Sequence, residues 1–409
     1  MNHFKKQQIQ NIADFNPREQ LAKGVLAKSV PMAMLKEFQR QITGYEIKAF
    51  NGGAKFRNGD TLLAKITPCL ENGKTAFVDI LDDGEVAFGS TEFIVLRAKN
   101  ETNPEFLYYF AISPDFRKRA IECMEGTSGR QRVNENTLKI LELPIPEPQT
   151  QQSIAAVLSA LDKKIALNKQ INARLEEMAK TLYDYWFVQF DFPDADGKPY
   201  KSSGGEMVFD ETLKREIPKG WEVKSLWKIA KYFNGLALQK YRPENELDDF
   251  LPVIKIREMN EGVSSNTERA KTNIPKEAII DDGDILFSWS ATLEIKIWSQ
   301  GKGALNQHIF KVTSSEYPKY FFYFELLNYL KHFKMIADLR KTTMGHITQD
   351  HLKQAYICIP SQPLLEKLEK IVTPIFQKIL ITQKQNHRLT QLRDFLLPML
   401  MNGQVSVAE

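Results

Sequence analysis

Apolar and polar positions follow two rhythms along this chain. Short β-branched and aromatic runs come first, at residues 61–66, 76–80 and 93–96, and again at 251–256, 284–289 and 308–312. These runs predict strands, and the Asn-Gly, Asp-Gly and Gly-Asp steps between them predict turns. Aromatic stretches at 104–112 and 318–330 predict a helix after each set. Each set then gives way to a longer period. Leu158, Leu161, Ile165, Asn168, Asn172, Leu175, Ala179 and Leu182 are spaced by threes and fours, as are Val372, Ile375, Ile379, Thr382, Asn386, Leu389, Arg393 and Leu396. This is a heptad stripe. No glycine interrupts residues 149–190, which as a helix would extend about 60 Å. Pro374 should start or kink the second helix.

The rhythm repeats because the sequence repeats, with a period of more than 200 residues. Phe56-Arg57-Asn58-Gly59-Asp60-Thr61-Leu62-Leu63 matches Ile280-Asp281-Asp282-Gly283-Asp284-Ile285-Leu286-Phe287. Thr127-Ser128-Gly129 matches Thr343-Met344-Gly345, and Leu143-Pro144-Ile145-Pro146 matches Ile357-Cys358-Ile359-Pro360. A period this long denotes a duplicated domain rather than a solenoid. Near the start the match thins: Ile12-Ala13-Asp14-Phe15 corresponds to Ile229-Ala230-Lys231-Tyr232, and Val30-Pro31 is expected to correspond to Leu251-Pro252. The expected fold class is α+β: two tandem globular α/β domains separated by two long antiparallel helices, a coiled-coil spacer with a pseudo-two-fold internal repeat. The predicted packing residues are Leu158, Leu161, Ile165, Asn168, Asn172, Leu175 and Leu182 against Ile375, Ile379, Thr382, Asn386, Leu389 and Leu396, with the polar members fixing register. Two such domains on a rod would suit two half-sites of a duplex, whose local two-fold axes match the repeat.

Composition narrows the function. The chain has 409 residues, 43% hydrophobic and 26% charged, with a net charge of +4. That rules out a disordered chain and a uniformly basic coat, so any DNA contact must come from local patches. The longest apolar runs are too short to span a bilayer, and the polar start does not resemble a secretory signal. Three scattered cysteines, Cys69, Cys123 and Cys358, give neither a disulfide framework nor a metal-ligand spacing, which suits a reducing cytoplasm.

Phosphate-cradling and base-flipping motifs are missing: there is no Gly-x-x-x-x-Gly-Lys-Ser/Thr loop and no Asn-Pro-Pro-aromatic tetrad,. One nuclease-like pattern exists, Asp284 followed by Glu294-Ile295-Lys296, which on adjacent strands could hold a divalent ion. Its first-half counterpart is broken, and Asp60 and Asp284 read better as turn residues. A self-contained metal-dependent nuclease and a coiled-coil scaffold with no DNA role are the alternatives kept open.

Candidate DNA contacts are polar and basic residues in loops between strands. In the first half these are Lys65, Thr67, Asn72, Lys74, Ser90, Thr91, Ser128, Arg130, Gln131 and Arg132. In the second they are Ser288, Trp289, Ser290, Thr292, Lys296, Asn306, Gln307, His308, Thr342, Thr343 and His346. Trp289 reads equally well as a core residue. The aromatic cluster Tyr183, Tyr185, Trp186 and Phe187 is expected either to plug a helix–domain junction or to dock a partner.

The stretch Phe190-Asp191-Phe192-Pro193, Gly197-Lys198-Pro199-Tyr200-Lys201-Ser202-Ser203-Gly204-Gly205 and Ile217-Pro218-Lys219-Gly220-Trp221, with Gln151-Gln152-Ser153-Ile154-Ala155 opening the long helix, resembles the specificity subunits of type I restriction–modification enzymes. The likeness covers both halves. It implies a non-catalytic, cytoplasmic DNA-recognition subunit divided as target recognition domain 1 (1–148), spacer helix 1 (149–190), linker (191–217), target recognition domain 2 (218–361), spacer helix 2 (362–401) and tail (402–409). Each recognition domain would read one half of a bipartite, asymmetric double-stranded DNA site. The spacer would set the gap and dock two methyltransferase subunits, and the complete enzyme would add two restriction subunits. The resemblance implies no cofactor in this chain: S-adenosylmethionine belongs to the methyltransferase, ATP and Mg to the restriction subunit. No membrane partner is implied. The first half lacks the Pro-Lys-Gly-Trp opening of the second.

Overall fold

The computed structural model describes residues 4–99, 101–127, 129–245, 247–264, 266–339 and 346–407. The chain divides into two compact units, one of residues 1–166 and 388–409, the other of residues 167–387. Each long helix therefore contributes to both units.

The first unit is built on two four-stranded sheets. One runs Ala13–Phe15, Phe93–Ala98, Thr61–Ala64, Thr75–Phe77, all antiparallel. The other runs Glu46–Ala49, Leu26–Val30, Ala87–Gly89, Ala54–Phe56, with the central pair parallel. A further two-stranded ladder joins Lys5–Gln8 to Glu142–Ile145. Helix Pro104–Ile112 starts where expected, with Pro104 in the first turn and the Asn103 side chain accepting from the Phe106 N–H,. Its residues Phe106 to Ile112 are all buried. This is a helix that is apolar on every side because core surrounds it.

The second unit repeats the order and direction of strands in both four-stranded sheets. One sheet runs Lys231–Asn234, Ile309–Thr313, Ile285–Ser288, Glu294–Ile297; the other runs Arg269–Lys271, Phe250–Ile254, Gly303–Leu305, Ile279–Ile280. Again the central pair of the second sheet is parallel. The ladder of Glu222–Ser225 with Tyr356–Ile359 stands where Lys5–Gln8 meets Glu142–Ile145. Gly59 and Gly283 both take φ +89° in the turn before the second strand of the match, a conformation that penalises any residue with a Cβ. The carboxylates after them, Asp60 and Asp284, accept from the backbone N–H groups of Arg57 and Asp281.

Register corrects one expected correspondence. Val30 lies opposite Gly89, and Ile254 lies opposite Leu305. Val30 thus matches Ile254, not Leu251. The two halves differ in length before this strand, and a short buried strand carries too little pattern to reveal it.

The first long helix, Pro148–Tyr183, has 36 residues and passes into a π-helical turn at Asp184–Val188. The second, Gln362–Met401, has 40. Of the two outcomes expected at Pro374, a start or a kink, the start is excluded, and the helix runs from Gln362 as the division at 362 expects. Val372, Phe376 and Ile379 are buried on either side of the proline, and this burial outweighs the lost backbone hydrogen bond. Within the second unit the two helices run antiparallel. The Asn168 amide donates to Gln385 (2.9 Å) and Asn386 (2.8 Å), and Thr382 donates to Asn172. Of the predicted seam, Leu158, Ile165, Asn168, Asn172, Ile379 and Thr382 are buried. Leu161, Leu175, Leu182, Ile375, Asn386, Leu389 and Leu396 are partly buried. At four steps the deepest position is the neighbour: Asp162 rather than Leu161, Tyr183 rather than Leu182, Phe376 rather than Ile375, and Leu397 rather than Leu396.

The aromatic cluster at the end of the first helix is core. Tyr183, Trp186 and Phe187 are buried in the main apolar cluster of the second unit, leaving Tyr185 exposed. Phe190 at the helix end and Phe192 in the linker join the same cluster, with Trp221 beyond the linker packed against it; Phe192 stacks on both Tyr200 and Trp221.

Candidate nucleic-acid interface

The strongest constellation lies at one backbone position that occurs in both units. In the first, the Lys65 N–H donates to the Glu92 carbonyl (2.9 Å), and the Val133 N–H donates to the Lys65 carbonyl (2.9 Å). In the second, the Trp289 N–H donates to the His308 carbonyl (3.3 Å), and the Ile347 N–H donates to the Trp289 carbonyl (2.8 Å). Ile66 bridges Arg132 as Ser290 bridges His346. Three loops are thereby pinned together in the same way, so Lys65, Glu92 and Arg132 are the structural counterparts of Trp289, His308 and His346.

The two trios differ in chemistry. In the first unit Arg132 grips Glu92 with Nε (2.9 Å) and Nη2 (2.8 Å). The hydrogen bonds from Arg132 hold the Glu92 carboxyl below the usual carboxylate range, and the same pairing raises the Arg132 guanidinium. Lys65 pairs with Glu135 at 3.5 Å. The Asn16 amide donates to Glu135 (2.7 Å) while its oxygen accepts from the Val95 N–H (2.9 Å), so the carboxylate behind Lys65 is fixed in turn. The side chains of Asn134 and Glu125 steady the same region at 2.8 Å. Beside the trio opens a cleft of about 810 Å³, lined by Asn16, Arg18, Lys55, Lys65 and Thr91 over Phe93 and Val95.

In the second unit the Trp289 ring lies 5.7 Å from His308, 6.4 Å from His346 and 5.9 Å from Phe310, centroid to centroid. Its indole N–H donates to Asn234 (3.0 Å). Trp289 is thus half core and half surface, a ring backed by Phe310 and faced by two exposed imidazoles.

The other predicted residues divide. Thr67 joins the first cluster, its N–H and Oγ1 both donating to the Gln131 carbonyl, and Arg130 and Thr91 are exposed beside it. The Ser90 hydroxyl accepts from the Glu92 N–H (3.1 Å) and so shapes the loop. Lys74 stands next to Ala64 in the ladder, but its amine turns to the Met32 carbonyl (3.5 Å). Asn72 is exposed at the neighbouring turn. Gln307 is partly buried and Thr292 exposed. The Lys296 amine is taken up by Asn260 (2.7 Å) and Glu294 (3.3 Å).

Three predicted contacts are corrected by burial. Ser288 is wholly buried, its hydroxyl donating to the Thr292 carbonyl (2.5 Å) and accepting from the Glu294 N–H (2.9 Å). Ser290 and Asn306 are buried as well, and the Asn306 oxygen accepts from the His308 N–H (3.4 Å). Ser288 and Asn306 spend these hydrogen bonds on the loop itself,, and Ser290 is covered by it. Ser128, Thr342 and Thr343 lie outside the described residues. Sequence reasoning pairs the loop Ser90-Thr91-Glu92 with Asn306-Gln307-His308 but does not choose Glu92 as a contact, and it passes over Asn16, Glu135 and Arg18.

The nuclease-like pattern comes apart. Glu294 pairs with Ser288, at the opposite end of the hairpin from Asp284. Asp284 is engaged by Lys311 at 2.8 Å. Among the described residues no group of three His, Cys, Asp or Glu side chains is placed to hold a metal ion, and no helix is long and apolar enough to cross a membrane.

Known proteins place this architecture. Residues 20–177 and 218–391 each match the type I restriction modification DNA specificity domain, one match to each repeat. A type I restriction enzyme specificity subunit of Methanocaldococcus jannaschii (MjaIX) is 31% identical over 317 residues, covering 75% of this chain and 70% of that protein. The HindI specificity subunit of Haemophilus influenzae is 28% identical over 418 residues, covering 88% and 90%. The crystal structure of a type I restriction-modification S subunit from M. genitalium shares the fold at a TM-score of 0.54, with 17% identity and 98% and 96% coverage. With both repeats matched, and relatives of the same kind aligned over most of their length, this chain belongs to the type I restriction–modification DNA specificity subunit family.

Proposed function

We propose that this chain is the sequence-reading subunit of a type I restriction–modification complex, that each of its two domains reads one half of a bipartite, asymmetric site in double-stranded DNA, and that the paired helices set the gap between the halves. The observation that carries this reading is the pair of trios. One backbone frame presents Lys65, Glu92 and Arg132 in one domain and Trp289, His308 and His346 in the other. Two copies of a scaffold with different side chains at matched positions suit two different half-sites.

The helices would dock two methyltransferase subunits. Those partners would bring S-adenosylmethionine and methylate adenine, and two restriction subunits with ATP and Mg would add cleavage. This chain would supply recognition and no chemistry of its own.

Methylome sequencing of cells expressing the chain with its methyltransferase, against the methyltransferase alone, tests the reading. The expected result is N6-methyladenine at a split motif with a fixed gap, only when this chain is present. Soluble, associated proteins with no new methylation would contradict it and return the scaffold alternative.

A further inference from the structure

Resting on the reading above, we infer that Glu92 and Arg132 together read one base pair of the first half-site by its amino and keto groups, and so fix which strand carries the amino base. Glu92 is the new member: a carboxylate, able only to accept, beside the polar and basic candidates.

In the major groove every Watson–Crick pair presents one exocyclic amino donor beside one keto acceptor. Cytosine N4 faces guanine O6, and adenine N6 faces thymine O4. A carboxylate accepts from the amino group and a guanidinium donates to the keto group. Turning the base pair around sets amino against guanidinium and keto against carboxylate, which is repulsive on both sides.

The geometry is set for this task. Arg132 uses Nε and Nη2 on Glu92 at 2.9 and 2.8 Å, which leaves the Nη1 hydrogens to donate. The two Glu92 oxygens retain lone pairs beside them. A bidentate pair fixes the guanidinium plane against the carboxylate, so donor and acceptor are held side by side before DNA arrives. Arg132 is half exposed, at 51%, and both side chains sit in pinned loops: the Glu92 carbonyl accepts from Lys65, and the Arg132 loop bridges Ile66. The second domain has His308 and His346 at these two positions, with no carboxylate. The device is therefore confined to one half-site.

The test is the methylated motif obtained with the methyltransferase and two variants of the full chain. Glu92→Gln puts an amide, both donor and acceptor, where only an acceptor stood. A preference of roughly ten- to hundredfold for the amino base at one position should fall to near parity. The exchange Glu92→Arg with Arg132→Glu keeps the ion pair and reverses its sense, so that position should change from an amino to a keto base. The other half-site and the gap stay as in the wild type. An unchanged motif in both variants, or an equal loss of methylation at every site with the complex still assembled, would overturn the inference while leaving the subunit's recognition role intact. A wild-type chain that directs no split motif would remove the underlying reading first.

Discussion

The two units hold different side chains on one backbone plan, and two of the differences change the chemistry most. The first is the loop cluster, ionic in one unit (Lys65, Glu92, Arg132) and aromatic in the other (Trp289, His308, His346). The second is the seat of the long helices. In the first unit the Tyr109 hydroxyl donates to Asp162 (2.7 Å), which is also gripped by Arg393 (2.8 Å), all three buried. In the repeat these positions are Tyr323, Phe376 and Ala179, a tyrosine 5.6 Å edge-on to a phenylalanine ring with a small residue behind. Conversely, Tyr183 donates to buried Glu325 in the second unit, where the first has Leu397 and Ala111. The comparison teaches that fold is set by which positions are buried, whereas polarity at those positions is free to differ if each polar group finds its partner.

The largest expected effect tests the helix seat. Arg393→Ala leaves Asp162 buried with only a tyrosine hydroxyl and should cost about 3–5 kcal/mol in urea unfolding of the first unit. Transplanting the apolar solution, Asp162→Phe with Arg393→Ala, should recover most of that loss. A double variant as unstable as the single one would show that the two seats are not interchangeable.

Next comes the pH dependence of the second unit. Burial pushes the Glu325 carboxyl from its ordinary 4.5 up to about 7, so the folded state holds a proton that the unfolded chain has released. Stability therefore falls as pH rises from about 4.5 to about 7, by roughly 3 kcal/mol in total. Glu325→Gln keeps an acceptor for Tyr183 and should flatten that decline. Parallel pH curves for the two proteins would contradict the assignment.

Much of this plan was legible in the sequence. The heptad stripes, the aromatic helices and the turn glycines before Asp60 and Asp284 are local signals, and local signals survive in a linear string. Register near the start was not legible, because Leu26–Val30 is a short strand whose partner, Ala87–Gly89, is remote in sequence. Site residues were harder still. Ser288, Ser290 and Asn306 have the composition of a reading loop, yet the hydrogen bonds of Ser288 and Asn306 turn inward and Ser290 is buried. Glu92 carries the wrong charge for a DNA surface until its bidentate contact with Arg132 is seen.

The central claim is that each domain reads its own half-site through its own trio. It is tested most directly by giving the first domain the second domain's side chains: Lys65→Trp, Glu92→His and Arg132→His together, followed by methylome sequencing with the methyltransferase. The account predicts a changed first half-site with the second half-site and the gap retained. Retention of both half-sites, or a change in the second, would contradict it.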